Sequence, residues 1–375
     1  MEKTTYKEKK MKKILCLIDG LGSGGAERQM TGLAVMLKQK GYHVNLVAYH
    51  KEKDFYVSLA KQGGVDPVFL SVGPSQWSKV KAVRRYIKQQ GGYDCVIAYK
   101  PGPNAIGCIL KLLGMRFKLI VSERITDSTV GDKKNLFRLY HFADYIVPNA
   151  YSQGEFLSKN FRWMKKKMVP ITNFTDTDLF KPVETSKTDT IEVLTVARVA
   201  RQKNVIRYLE AIAMLKNRII GKVHFDWYGN VERGQDDYAQ KCYAKVKELE
   251  LNDVIEFHPA TPEILKQYQQ CDIFCLPSLF EGFPNVLCEA MSCGKPVLCG
   301  NVCDNARIAS DGTNGFLFDP TNVEDMVTKM RQLLKMSKEE LVSFGKNSRS
   351  IAVDLFSKDA FVNKYIELIE ETSTK

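Results

Sequence analysis

Ile273-Phe-Cys-Leu-Pro-Ser-Leu-Phe-Glu281-Gly-Phe-Pro-Asn285-Val-Leu-Cys-Glu289-Ala-Met-Ser-Cys-Gly294-Lys-Pro-Val297 holds a whole folding unit in one stretch. An apolar run at 273–276 leads into a turn-rich loop. A helix-periodic segment follows, then a second apolar run at 296–298. Strand, loop, helix, strand is the repeating unit of a parallel sheet with helices on its faces. Pro284 suits the first turn of the helix, where a missing N–H costs nothing, and Gly294 suits its end. The helix is expected to bury Val286, Leu287, Ala290 and Met291. Asn285 and Glu289, four apart, then share its polar side. Glu281 falls in the loop beyond the strand, and the N–H groups of Phe283 to Val286 are expected to face a ligand.

The same alternation extends over the chain. Strands are predicted at 13–18, 43–48, 67–71, 94–98, 118–122 and 145–147, and again at 191–196, 223–227, 254–257, 273–276 and 296–298. Helical patterns lie between them, and three more follow at 323–335, 338–353 and 358–370. Between the two series, residues 172–190 are polar and turn-rich and are read as a linker. The predicted organisation is a polar extension at 1–10, a first α/β domain at 11–178, a second at 179–353, and a C-terminal helical segment at 354–375 packing back on the first. Open parallel sheets bind ligands beyond the carboxyl ends of their strands, so two such domains are expected to face each other across a cleft.

Composition narrows the class. The chain has 375 residues, 44% hydrophobic and 26% charged, as in ordinary globular proteins. No run approaches the roughly 18 apolar residues of a membrane span, and the N-terminus lacks a secretory pattern, so a cytoplasmic protein is expected. The ten cysteines show no zinc spacing and are read as reduced core residues. The net charge of +12 is lopsided: residues 1–180 hold 30 Lys+Arg against 15 Asp+Glu, the remainder 25 against 28. A basic first half points to a polyanionic partner.

Three segments could carry chemistry. Asp19-Gly-Leu-Gly-Ser-Gly24-Gly25-Ala-Glu-Arg28 joins a strand to a helix, where glycines and a helix N-terminus suit an anion. Its spacing is neither the dinucleotide fingerprint nor a Walker A loop. Arg198 and Lys203 lie beyond another strand and could neutralise a diphosphate. Glu281 and Glu289 are eight residues apart along one wall. Five or six helical residues span about 8–9 Å, which suits two contacts along one long ligand better than an acid–base pair across one bond.

At these residues the chain resembles glycosyltransferase family 4, over nearly its whole length. Gly24-Gly25-Ala-Glu-Arg28, Val121-Ser-Glu-Arg124, Arg198, Lys203, Glu281-Gly-Phe-Pro with Glu289-Ala-Met, and the block from Gly312 through Asn314-Gly315 to Pro320 carry the likeness. The resemblance implies the GT-B fold of two Rossmann-like domains. It also implies a retaining, metal-independent transferase that takes a hexose or N-acetylhexosamine from a nucleotide-diphosphate sugar, UDP rather than GDP, to a saccharide or lipid-linked acceptor in cell-surface polysaccharide synthesis. Gly24 and Gly25 would approach the donor phosphates, and Arg198 and Lys203 would hold them. Glu281 would contact the sugar, with Gly282, Phe283, Pro284, Asn285 and Val286 beneath it. Glu289 would bind the ribose, and the base would rest near Gly229, Asn230 and Pro259. No cofactor or metal is implied. The sequence departs from the family at Ala197 and Asn204, where glycine is usual, and at Asn301–Asn305, which lacks the usual glycine pair.

A sugar-nucleotide epimerase or a non-catalytic relative shares the fold. Asp176-Thr-Asp178 has the DxD form used by metal-dependent transferases but falls in the linker pattern. Phe161-Arg-Trp163-Met-Lys-Lys-Lys167 is the segment where basic and aromatic residues interleave. It fits an anionic inner-leaflet membrane surface better than nucleic acid.

Overall fold

The computed structural model describes residues 11–124, 134–184 and 189–371. The extension predicted at 1–10 lies outside them. The chain divides into two compact units, Met1–Thr172 with Phe361–Lys375, and Asn173–Ala360. The boundary read at 178 therefore falls inside the second unit.

In the first unit β1 (Lys13–Leu17), β2 (His43–Ala48), β3 (Val68–Phe69), β4 (Cys95–Tyr99), β5 (Lys118–Glu123) and β6 (Tyr145–Pro148) form one parallel sheet, in the order β3-β2-β1-β4-β5-β6. In the second, β7 (Ile191–Val196), β8 (Val223–Tyr228), β9 (Ile255–His258), β10 (Ile273–Leu276), β11 (Val297–Gly300) and β12 (Gly315–Phe318) are ordered β12-β11-β10-β7-β8-β9. The two topologies are the same. The chain order reverses between β1 and β4 in one sheet and between β7 and β10 in the other. Each reversal opens a crevice at the carboxyl ends of the strands. Central strands covered on both faces read as unbroken apolar runs; Ile14 through Leu17 and Ile273 through Leu276 are buried throughout.

Among the described residues twelve strands stand where eleven were predicted, because 312–320 read as a turn. β12 is four residues long and opens on a glycine. That glycine is required: a Cβ on Gly315 would lie 1.9 Å from the Val297 carbonyl oxygen.

Each unit has its own core. Leu15, Val96, Leu119 and Tyr140 belong to the first, and Phe225, Trp227, Tyr208 and Met326 to the second. Residues 361–371 belong to the first unit and are bonded to it: Tyr365 Oη and Tyr99 Oη are 2.7 Å apart, and Lys118 Nζ donates to the Leu368 carbonyl at 2.6 Å. Nine cysteines are buried, and Cys303 is exposed.

Candidate active site

The second unit's crevice is a cavity of about 630 Å³. Arg198 and Lys203, beyond β7, line it with Tyr228, Gly229 and Asn230, beyond β8. Glu281 and Phe283 to Val286, beyond β10, complete the wall. Gly282, Pro259 and Glu289 are not in that wall, although Glu281, Phe283 and Ala260 beside the first two are. A groove of about 820 Å³ lies at the opposite, amino ends of the strands, beside Glu192, Asp272 and Lys295, and holds none of Arg198, Lys203, Glu281 and Glu289.

Two hydrogen bonds bring Lys203 to Glu281. Leu279 N–H donates to the Gln202 carbonyl at 2.9 Å, and Gln202 Nε2 donates to the Phe280 carbonyl at 2.8 Å. The Arg201–Lys203 turn is thereby fastened to the loop after β10. Lys203 Nζ then donates to Glu281 Oε1 at 2.6 Å, both side chains being nearly buried. Cys303, at φ +49°, places its sulfur 3.5 Å from the Glu281 N–H. Arg198 is more exposed and forms an ion pair with Glu232. Both cations expected to bind diphosphate therefore carry a counter-carboxylate. Asn204 takes a left-handed backbone, φ +58°, where the family's usual residue is glycine, and its Nδ2 donates to the Pro320 carbonyl at 2.7 Å. Asparagine tolerates that region better than most residues.

The helix begins at Asn285, with Pro284 as the residue before it, and runs to Ser292. Gly294, at φ +73°, closes it: its N–H donates to the Met291 carbonyl, and that of Lys295 to the Ala290 carbonyl. Two expectations are corrected. Val286 is only half-buried and lines the cavity, whereas Glu289 is buried. The helix Lys338–Phe356 packs along this one, and no face remains fully polar. The N–H of Asn285 is not directed at a ligand but donates to the Phe283 carbonyl at 3.0 Å. Glu289 Oε2 accepts from Tyr268 Oη at 3.2 Å. Burial, and next the Glu289 charge, holds the Tyr268 phenol well above its ordinary range. The two glutamates thus serve different partners.

Beyond β8, Gly229 is sterically required: a Cβ there would lie 2.0 Å from the Ala197 carbonyl oxygen. Asn230 Oδ1 accepts from Ala260 N–H at 2.9 Å and joins the two loops. Tyr228 stacks on His258, with ring centroids 4.3 Å apart, and His258 Nε2 is 2.6 Å from Asp226 Oδ1. Donor atoms of His224, Asp226 and Glu256 lie within 4.8 Å of one another and could hold a cation, but Asp226 is already committed to His258.

Asp176 belongs to the second unit. Its main-chain carbonyl accepts from Phe180 N–H, and its carboxylate pairs with Lys358 at 2.7 Å. The DxD string is thus part of a turn.

The first unit has its own polar centre at the switch point. Gly24 precedes the helix Gly25–Gln39, and a Cβ there would lie 2.4 Å from Glu27 Oε2. The glycine makes room for the Glu27 carboxylate. A Cβ on Gly25 would meet nothing within 4 Å. Lys100, at the end of β4, has φ +77°, a costly backbone for a side-chain-bearing residue. Its Nζ bridges Glu27 Oε1 at 2.6 Å and Asp19 Oδ1 at 3.0 Å. Partial burial acts to lower the Lys100 pKa, but the hydrogen bonds to Glu27 and Asp19 outweigh it and the net direction is up. Nearby, buried Glu123 accepts from Tyr140 Oη at 2.8 Å, and the Arg124 guanidinium lies 3.9 Å from the centre of the Tyr99 ring.

Sequence reasoning did not find Lys100, Gln202, Glu232 or Tyr268. Lys100 precedes Pro-Gly-Pro at a strand end, a signal of a tight turn; the others have no local signature.

Two family models cover this architecture in tandem: "Glycosyltransferase Family 4" matches residues 23–179, and "Glycosyl transferases group 1" matches 176–351. The chain belongs to glycosyltransferase family 4. It is a glycosyltransferase. A relative from Campylobacter jejuni, N-acetylgalactosamine-N,N'-diacetylbacillosaminyl-diphospho-undecaprenol 4-alpha-N-acetylgalactosaminyltransferase, is 27% identical over 88% of this chain and 92% of its own. A second from the same organism is GalNAc-alpha-(1->4)-GalNAc-alpha-(1->3)-diNAcBac-PP-undecaprenol alpha-1,4-N-acetyl-D-galactosaminyltransferase. It is 28% identical over 75% of this chain and 77% of its own. Among solved structures, Anabaena Alr3699/HepE in complex with UDP and glucose superposes with a TM-score of 0.77 at 18% identity, over 96% of this chain and 100% of that one. That likeness places the family-4 chain in the GT-B fold. Among its described residues no helix is long and apolar enough to cross a membrane.

Proposed function

We propose that the chain is a retaining, metal-independent transferase that moves a hexose or N-acetylhexosamine from a UDP-sugar to a lipid-linked saccharide, in cell-surface polysaccharide synthesis at an anionic membrane surface. The observation that carries this reading is the cavity that gathers Arg198, Lys203 and Glu281 at one end and Tyr228, Gly229 and Asn230 at the other. The cations suit a diphosphate, and the flat Tyr228 platform suits a base. The Campylobacter relatives are named for lipid-diphosphate acceptors, and the Anabaena protein was crystallised with UDP; both support the assignment.

In the proposed reaction the bond from the sugar C1 to the β-phosphate oxygen breaks, and its electron pair stays on the phosphate. Arg198 and Lys203 stabilise that charge. The acceptor hydroxyl attacks C1 on the same face and gives its proton to the departing phosphate, so no protein base is needed. Glu281 accepts hydrogen bonds from the sugar while it remains paired with Lys203. That arrangement fits a carboxylate that orients substrate better than one that accepts a proton.

The test is transfer from UDP-hexoses and UDP-N-acetylhexosamines to a polyprenyl-diphosphate saccharide in EDTA, with the product anomer read by NMR. The expected product keeps the donor's anomeric configuration. An inverted product, or turnover that returns only with added metal, would overturn the mechanism.

A further inference from the structure

The membrane-facing segment read at 161–167 is largely inward-facing. Met164 is fully buried, and Trp163 stacks on His141 with ring centroids 3.6 Å apart. Lys167 Nζ donates to the carbonyls of His141 and Ala143. What remains outside is Arg162, Lys165 and Lys166, with no apolar residue among them. The helix Gln76–Gln89 is different. Val80, Val83 and Ile87 enter the core. Trp77, Lys81, Arg84, Arg85 and Lys88 are exposed and recur at the spacing of a single helical face. From Asp66 to Asp94 the sequence holds no acidic residue in between. Among the described residues, none of these four cations has an acidic partner. The stripe is therefore a cationic track about 16 Å long, with an indole 61% exposed at its N-terminal end.

We propose that the outer face of the helix Gln76–Gln89 docks the first unit on an anionic lipid bilayer, with Trp77 in the headgroup layer. Cations of one sign without counter-charges gain most from a negative surface, and tryptophan partitions into the interface. A single-stranded nucleic acid would need several aromatic platforms along the track, and this face carries one. The inference rests on the membrane-surface part of the proposed function and assigns that contact to an element.

The test is co-sedimentation of the full chain with vesicles of phosphatidylcholine alone or mixed with phosphatidylglycerol, at low and high salt. K81Q/R84Q/R85Q/K88Q is compared with R162Q/K165Q/K166Q, and circular-dichroism melts confirm the fold of each. The wild type is expected to bind phosphatidylglycerol vesicles in a salt-sensitive way. At roughly fivefold per cation, the helix variant should lose tenfold or more, and the control should stay within threefold. The blue shift of tryptophan emission on binding should disappear in W77F, because Trp227 is buried and Trp163 is stacked. If the wild type shows no preference for anionic vesicles, the membrane reading itself falls. If it binds and the helix variant binds equally well, this assignment falls and docking elsewhere stands. Tighter binding of single-stranded RNA at the same salt, lost in the helix variant, would overturn the bilayer as the occupant.

Discussion

Lys203 and Glu281 are 78 residues apart in sequence and 2.6 Å apart in space, and the site depends on their pairing. Before donor arrives, each neutralises the other in a nearly dry setting. Removing one partner strands the other. K203M is therefore expected to cost about 3–5 kcal/mol in urea unfolding. K203M/E281Q should recover most of that stability and none of the turnover, a separation that a merely structural ion pair would not produce. G229A tests the base end. A Cβ 2.0 Å from the Ala197 oxygen must part the ends of β7 and β8. A loss of about 1–3 kcal/mol in stability is expected, as for other overpacked sites, and isothermal titration should show nucleotide affinity falling at least tenfold. The motif residues themselves were legible, because glycine, proline and paired charges beyond strands have local causes. Their partners were not. Nothing near Arg198 announces Glu232, and nothing near Glu289 announces Tyr268, since each contact is made by the fold.

At the scale of elements, the helix Asn285–Ser292 is held by what packs on it. Gly345 lets the helix Lys338–Phe356 approach: a Cβ there would lie 2.1 Å from the Gly294 oxygen. One turn further on, Arg349 donates to the carbonyls of Thr177, Phe180 and Ser292, each at 2.9 Å. It ties the polar segment that read as a linker to the end of the motif helix. R349A frees three carbonyl acceptors and is expected to lower stability by about 2–3 kcal/mol, measurable as a lower thermal midpoint. Strand positions were legible where both faces are buried, as at β1 and β10. β12 was not, because four residues opening on glycine resemble a turn. The exposed basic track on Gln76–Gln89 was visible only as part of the lopsided charge. Which cations face outward depends on which side of the helix enters the core, and only packing settles that.

For the whole molecule, the consequence is two sheets of the same topology with separate cores. Two-state unfolding is not expected of such a chain. Calorimetry should resolve two transitions, and a nucleotide held by the second unit should raise one and leave the other in place. At a ligand concentration of about a hundred times Kd the shift corresponds to about 2.7 kcal/mol. The fold class was legible from alternation alone, but the identity of the proposed donor would be decided by a few contacts, such as those around Tyr228 and Asn230, that no local pattern announces. The most direct measurement is a thermal-shift screen of UDP, GDP, ADP, CDP and dTDP against the full chain in EDTA, repeated with K203M/E281Q. UDP is expected to stabilise the wild type most and to lose its effect in the double variant. A flat response to every nucleotide would contradict the assignment of this cavity to a sugar-nucleotide donor.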